Sequence, residues 1–180
     1  MRAPLNLGYV NKFLASFRRA TDEQYGEGIM WYWEAQHDIQ QLAFELKVPF
    51  RNVAYAVAAL SNQMRWSTNI NAVRQLANGF DAQGMRGPVD KAKACLAGDL
   101  SALRGPKVTA FAHALTGDLT ASVIDRWIMR LLLGHDTKRI TPTPKQYGRI
   151  SKALQTAARM VNLSTAQFQA IIWLQTRSTS

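Results

Sequence analysis

The stretch Arg51-Asn52-Val53-Ala54-Tyr55-Ala56-Val57-Ala58-Ala59-Leu60-Ser61-Asn62-Gln63-Met64 is almost wholly apolar through Tyr55, Val57 and Leu60. A helix that is apolar all round has to be enclosed by other elements, so this run predicts a helix over 51–64 at the centre of the fold.

Outward from it, helical periodicity dominates. Leu7, Val10, Phe13, Leu14 and Phe17 recur at three- and four-residue intervals and predict a helix over 6–20. A second is expected over 30–47, with Trp31, Ala35, Ile39, Leu42 and Leu46 on one side and an end before Pro49. Residues 68–78 read as a short helix closed by Gly79, and the loop after it is punctuated by Gly84, Gly87 and Pro88. Further helices are expected over 89–97, from Pro106 to near Gly117, and over 122–133 up to Gly134. After the stiff Thr141-Pro142-Thr143-Pro144 connector, 145–161 and 165–176 make a closing pair, with Ser164 and Gln167 spaced as a capping box. No alternating run long enough for a sheet occurs. The expected fold is therefore all-α, about eight or nine helices in a single domain over 1–180.

Composition narrows the function. Lys and Arg outnumber Asp and Glu 22 to 12, giving a net charge of +10, which favours a polyanionic partner through phosphate contacts. The single cysteine, Cys95, excludes an intramolecular disulfide, a Cys-based zinc site and a four-cysteine iron–sulfur cluster. The histidines His37, His113 and His135 lack paired ligand spacing, so neither metal nor cofactor is expected. No stretch approaches the roughly 18 apolar residues of a membrane span, and residues 1–20 lack a signal-peptide core. A cytoplasmic monomer that binds double-stranded DNA is the expectation.

The candidate chemistry lies at about 88–133. Gly105 lets a backbone turn approach a phosphate closely, and the helix start that follows supplies unpaired N–H groups and a favourable dipole. Lys107 falls in the first turn of that helix, where the positive end disfavours an ammonium ion, as an amine nucleophile requires. Asp125 lies eighteen positions further on among Val123, Ile124, Trp127 and Ile128. There a carboxylate either serves as a helix-start charge or stabilises positive charge on a reacting sugar.

The segment Gly105-Pro106-Lys107-Val108-Thr109-Ala110, through Val123-Ile124-Asp125-Arg126-Trp127, to Arg130 resembles the helix-hairpin-helix Gly/Pro-Asp superfamily of DNA glycosylases, in particular endonuclease III-like members. Leu60-Ser61-Asn62-Gln63 is similar to that family's Leu-Ser-x-Gln element. The resemblance covers roughly 53–133. It departs at Leu103, where the family's hairpin usually has a first glycine, and in the short interval from Gln63 to Lys107.

The resemblance implies a helix-hairpin-helix motif and an enzyme that flips a base out of the duplex and cleaves its N-glycosidic bond. Lys107 would attack the anomeric carbon, with strand cleavage by β-elimination able to follow, and Asp125 would stabilise the oxocarbenium-like sugar. Gln63, Arg65 and Trp66 would fill the vacated gap, while Arg104, Gly105, Thr109 and Arg130 would contact DNA around the hairpin. Lys145, Arg149 and Lys152, continued by Arg159, form a basic stripe suited to a DNA backbone, against Tyr147, Ile150, Leu154 and Val161 on the other face. Two other classes fit the same residues. One is a glycosylase-like transferase of the kind bacteriophages use in DNA base hypermodification, and the other is a non-catalytic module that binds DNA or a partner protein.

Overall fold

The computed structural model describes residues 6–62, 64–82, 85–138 and 141–178, and among these the chain is all-helical. Its helices are α1 (Leu7–Arg18), α2 (Asp22–Leu46), α3 (Phe50–Leu60), α4 (Trp66–Ala77), α5 (Arg86–Leu96), α6 (Pro106–Leu115), α7 (Arg126–Leu133), α8 (Pro144–Met160) and α9 (Thr165–Ser178). A single 3-10 turn, Leu100–Ala102, stands between α5 and α6. None of these helices is long and apolar enough to cross a membrane.

Four boundaries differ from the sequence expectation by three residues or more, one of them being the end of α3 at Leu60 instead of Met64. α2 begins at Asp22, not Met30, because Thr21 and Gln24 form a reciprocal cap. Thr21 Oγ1 accepts the Gln24 N–H at 3.2 Å and Gln24 Oε1 accepts the Thr21 N–H at 3.0 Å, with Asp22 and Glu23 favouring the positive helix end. Gly26 and Gly28 blur the period there. Gly28 is required by fit, since a Cβ would lie 2.5 Å from Ile171 Cγ1 and 2.7 Å from the Ile171 backbone nitrogen. α5 begins at Arg86, so Gly87 and Pro88 belong to its first turn instead of a loop. Proline is tolerated there because first-turn N–H groups have no intrahelical acceptor. α7 begins at Arg126 and not Ser122, leaving residues 121–125 outside the helix, with Asp125 itself extended.

The chain divides into two compact units, Met1–Tyr32 with Leu119–Ser180, and Trp33–Asp118. In the first, α1, α7, α8 and α9 surround Phe13, Leu14, Ile128, Met129, Leu154 and Phe168. Leu7, on the same three- and four-residue spacing as the buried Val10, Phe13 and Leu14, is exposed. α8 starts at a full capping box between Thr143 and Gln146, and α9 at the expected one between Ser164 and Gln167. Ile150 and Leu154 of α8 are buried, with Tyr147 and Val161 packed against the same core.

In the second unit α3 is the axis. Every residue from Val53 to Leu60 is buried, and α4, α5 and α6 all pack against it. Alanines 54, 56, 58 and 59 let these neighbours approach the helix axis closely, which is how one short helix accommodates three partners.

Candidate functional site

Within the second unit, the resemblance-bearing elements converge on α6. Gly105 is its N-cap with φ +118°, a backbone conformation that strains any residue with a Cβ, and Pro106 occupies the first helical position. Gly105 supplies no side-chain acceptor to the helix start. Leu103, at the place where the family has a glycine, is buried: its side chain anchors the turn in the core while Arg104 and Gly105 stay exposed. Thr109 is half-buried, and its N–H donates to the Gly105 carbonyl at 3.0 Å.

Lys107, half-buried in the first turn, donates from Nζ to Asn62 Oδ1 at 2.8 Å. Asn62 is the variable position of the Leu60-Ser61-Asn62-Gln63 element, so the contact joins two segments forty-five positions apart. Nothing in the sequence singles out Asn62 beyond its membership of that element. Gln63 lies outside the described residues. Arg65 is the exposed N-cap of α4. Trp66 is half-buried, and its indole N–H donates to Asp38 Oδ2 at 2.7 Å, which fixes the ring on α2.

Asp125 belongs to the first unit, where non-helical residues lead into it. The Gln169 side chain grips both backbone groups of Val123, its Oε1 accepting the N–H at 2.8 Å and its Nε2 donating to the carbonyl. Tyr147 holds the flanking peptides, its hydroxyl donating to the Ser122 carbonyl at 2.6 Å and accepting from the Ile124 N–H at 3.4 Å. Two side chains thereby supply the hydrogen-bond partners that this segment does not find in a helix or sheet.

Asp125 is the N-cap of α7. Oδ1 accepts from the N–H groups of Trp127 at 2.9 Å and Ile128 at 3.0 Å, and Oδ2 accepts from the Trp173 indole at 3.1 Å. Trp173 in turn meets Trp31 edge-on, with centroids 6.5 Å apart, and carries the Arg177 guanidinium 4.3 Å above its ring. Burial, with the Asp125 charge added to it, pushes the Tyr32 phenol far above its ordinary range, and burial raises the Tyr147 phenol too. No sequence pattern points to Trp173, Gln169 or Tyr32 as neighbours of this segment.

The remaining basic residues of the expected DNA surface lie in the first unit. Arg130 is half-buried on α7 with its guanidinium 5.0 Å from the Trp127 ring centre, and Arg126 covers the same ring at 5.4 Å. On α8, Lys145 is exposed whereas Arg149 and Lys152 are half-buried. The Nε atoms of Arg130 and Arg149 are both buried without a hydrogen-bond partner. No group of three or more His, Cys, Asp or Glu side chains suited to a metal ion occurs among the described residues.

No curated protein and no solved structure matches this sequence. A family model does match, over residues 5–180, and on that near-complete coverage the chain belongs to the family of unknown function DUF7178.

Proposed function

We propose that this chain is a DNA glycosylase whose nucleophile is the Lys107 amine. The observation that carries the reading is the 2.8 Å contact between Lys107 Nζ and Asn62 Oδ1, which joins two elements that separately resemble the glycosylase superfamily. A net charge of +10 supports binding to duplex DNA through its phosphates, and the Gly105 turn ahead of α6 suits a close backbone approach to one of them.

In this reading neutral Lys107 attacks C1′ of a flipped nucleotide. The C1′–N bond breaks, the base leaves with the bonding electron pair and takes up a proton, and the lysine nitrogen loses one. Ring opening gives a Schiff base. Loss of a C2′ proton then expels the 3′ phosphate by β-elimination.

Asp125 enters through the resemblance, with a capping duty of its own. Asparagine caps a helix about as well as aspartate, so Asp125→Asn separates charge from capping. The test is borohydride trapping on duplexes bearing different damaged or modified bases. A covalent adduct is expected with the wild type and none with Lys107→Gln, at equal DNA affinity and thermal stability. Absence of an adduct on every lesion with the wild type sinks the catalytic reading.

A second reading, a DNA-binding module without turnover, is favoured by the Asp125 carboxylate, whose oxygens already accept three N–H groups. Its signature is salt-dependent duplex binding by every variant with no adduct from any.

A further inference from the structure

Charge divides unevenly between the two units. The first holds thirteen of the 22 Lys and Arg residues but five of the 12 Asp and Glu, so it carries eight of the ten net positive charges. In the second, nine cations meet seven acids, and Arg74 is ion-paired with Glu45 at 2.8 Å. Within the first unit the partition sharpens. α1, α7, α8 and α9 together carry nine Lys and Arg and not one Asp or Glu. Of that unit's acids, Asp22, Glu23 and Glu27 lie on α2, Asp125 is engaged as the α7 cap, and Asp136 follows α7.

Six of the nine cations are on α7 and α8, and two of them differ from the rest. Arg130 and Arg149 are half-buried with their Nε atoms out of water and without a hydrogen-bond partner. Among the described residues no carboxylate is within ion-pair distance of either. An unmet, desolvated donor is a cost of the unliganded protein, and a phosphate that turns the guanidinium head to accept from Nε and a terminal nitrogen removes it through two parallel bonds.

We propose that α7 and α8 of the first unit supply the principal phosphate contacts to duplex DNA, with Arg130 and Arg149 as forked contacts. This moves the main grip away from the Gly105 turn of the second unit, where the resemblance puts it. The inference rests on the duplex-binding half of the proposed function and needs no chemistry at Lys107. Along α8, Lys145 to Arg159 span about 21 Å of axis, the length of about six base pairs, which suits a long polyanion. A lipid surface fits less well. A helix lying on a membrane keeps its apolar side for the lipid, whereas α7 and α8 turn Ile128, Met129, Ile150 and Leu154 into the core, and Trp127 lies under the Arg126 and Arg130 guanidiniums.

The experiment follows the anisotropy of a fluorescein-labelled duplex of about 20 base pairs against the full chain over a salt series. Arg130→Gln and Arg149→Gln are each expected to weaken binding about fivefold or more and to lower the salt slope by about one. Arg86→Gln and Lys93→Gln, exposed changes in the second unit, should cost about twofold or less. Arg130→Lys and Arg149→Lys keep the charge and lose the fork, so the slope should stay while the affinity falls, and they keep the test open where a Gln variant melts early. Equal losses from both units, or Lys variants that bind like the wild type, overturn the inference and leave duplex binding standing. So does binding of phosphatidylserine vesicles that the two Gln variants abolish while duplex affinity is unmoved. Absence of duplex binding by the wild type at low salt removes the inference and the duplex-binding reading together.

Discussion

α3 and α9 are both enclosed helices, and they reach enclosure by opposite means. α3 is buried from Val53 to Leu60 by apolar residues, four of them alanines, so its neighbours meet a thin, smooth cylinder. α9 buries Phe168, Ile171 and Ile172 together with Thr165, Gln169, Gln175 and Thr176. Its polar groups are matched inside: Gln169 holds Val123, Gln175 Oε1 accepts from Ser16 Oγ at 2.6 Å, and Thr176 Oγ1 donates to the Ile172 carbonyl at 2.6 Å. Enclosure by small residues tolerates a shift of a neighbour along the helix. Enclosure by paired polar groups does not, because each displaced partner leaves a desolvated atom behind.

The contrast can be broken at either helix. Phe168→Ala empties the centre of the first unit's core and should cost about 3–5 kcal/mol in urea unfolding. Leucine is the sharper probe, because the same side chain should fail for different reasons at the two helices. Gln169→Leu orphans both backbone groups of Val123 and is expected to cost about 2–4 kcal/mol, with accelerated amide exchange at Val123. Ala58→Leu overfills the space around α3 and should cost about 1–3 kcal/mol while leaving every polar pair intact. If the Gln169→Leu loss is no larger than that of Ala58→Leu, the polar enclosure of α9 is not specific.

The smallest effect belongs to Tyr32, and its loss shows only in alkaline solution. Its phenol titrates near pH 10 when unfolded and well above that when folded, because burial disfavours the phenolate. The native state therefore holds the proton longer. The Tyr32 contribution is fully present below about pH 10 and falls as pH rises beyond it, by about 1.4 kcal/mol per pH unit at most. Tyr32→Phe should remove that slope from an alkaline unfolding series, leaving a shallower one from Tyr147.

The two helices also mark how far the sequence can be read. α3 announces itself, since an uninterrupted apolar run of this length is stable only when other elements cover it on every side. α9 is visible as a helix through its Ser164 cap, but its burial is not, because Gln169, Gln175 and Thr176 look like a solvated face until their partners are known. The starts of α2 and α7 escape the sequence pattern for a related reason. Caps are set by one or two side-chain contacts, and periodicity alone does not register them.

At the candidate site, local order is legible and convergence is not. The Gly105, Pro106, Lys107 sequence spells out a helix start, whereas Asp125, which the pattern places inside a helix from residue 122, is the N-cap of one. The Asn62 contact and the Trp173 indole come from segments 45 and 48 positions away, a separation that no window on the chain encodes.

Gly28 gives the first unit a registration pin. Its missing side chain admits the Ile171 backbone at a distance no other residue permits, so the neighbouring turn of α2 can engage α9 at that step alone. A helix pair keyed in this way is indexed like a gear tooth, and a slip by one residue in either direction would bring a side chain where there is room only for hydrogen. Inheritance should therefore treat the two glycines of this turn unequally, letting Gly26 drift toward better helix formers because a Cβ there meets nothing, while Gly28 stays fixed.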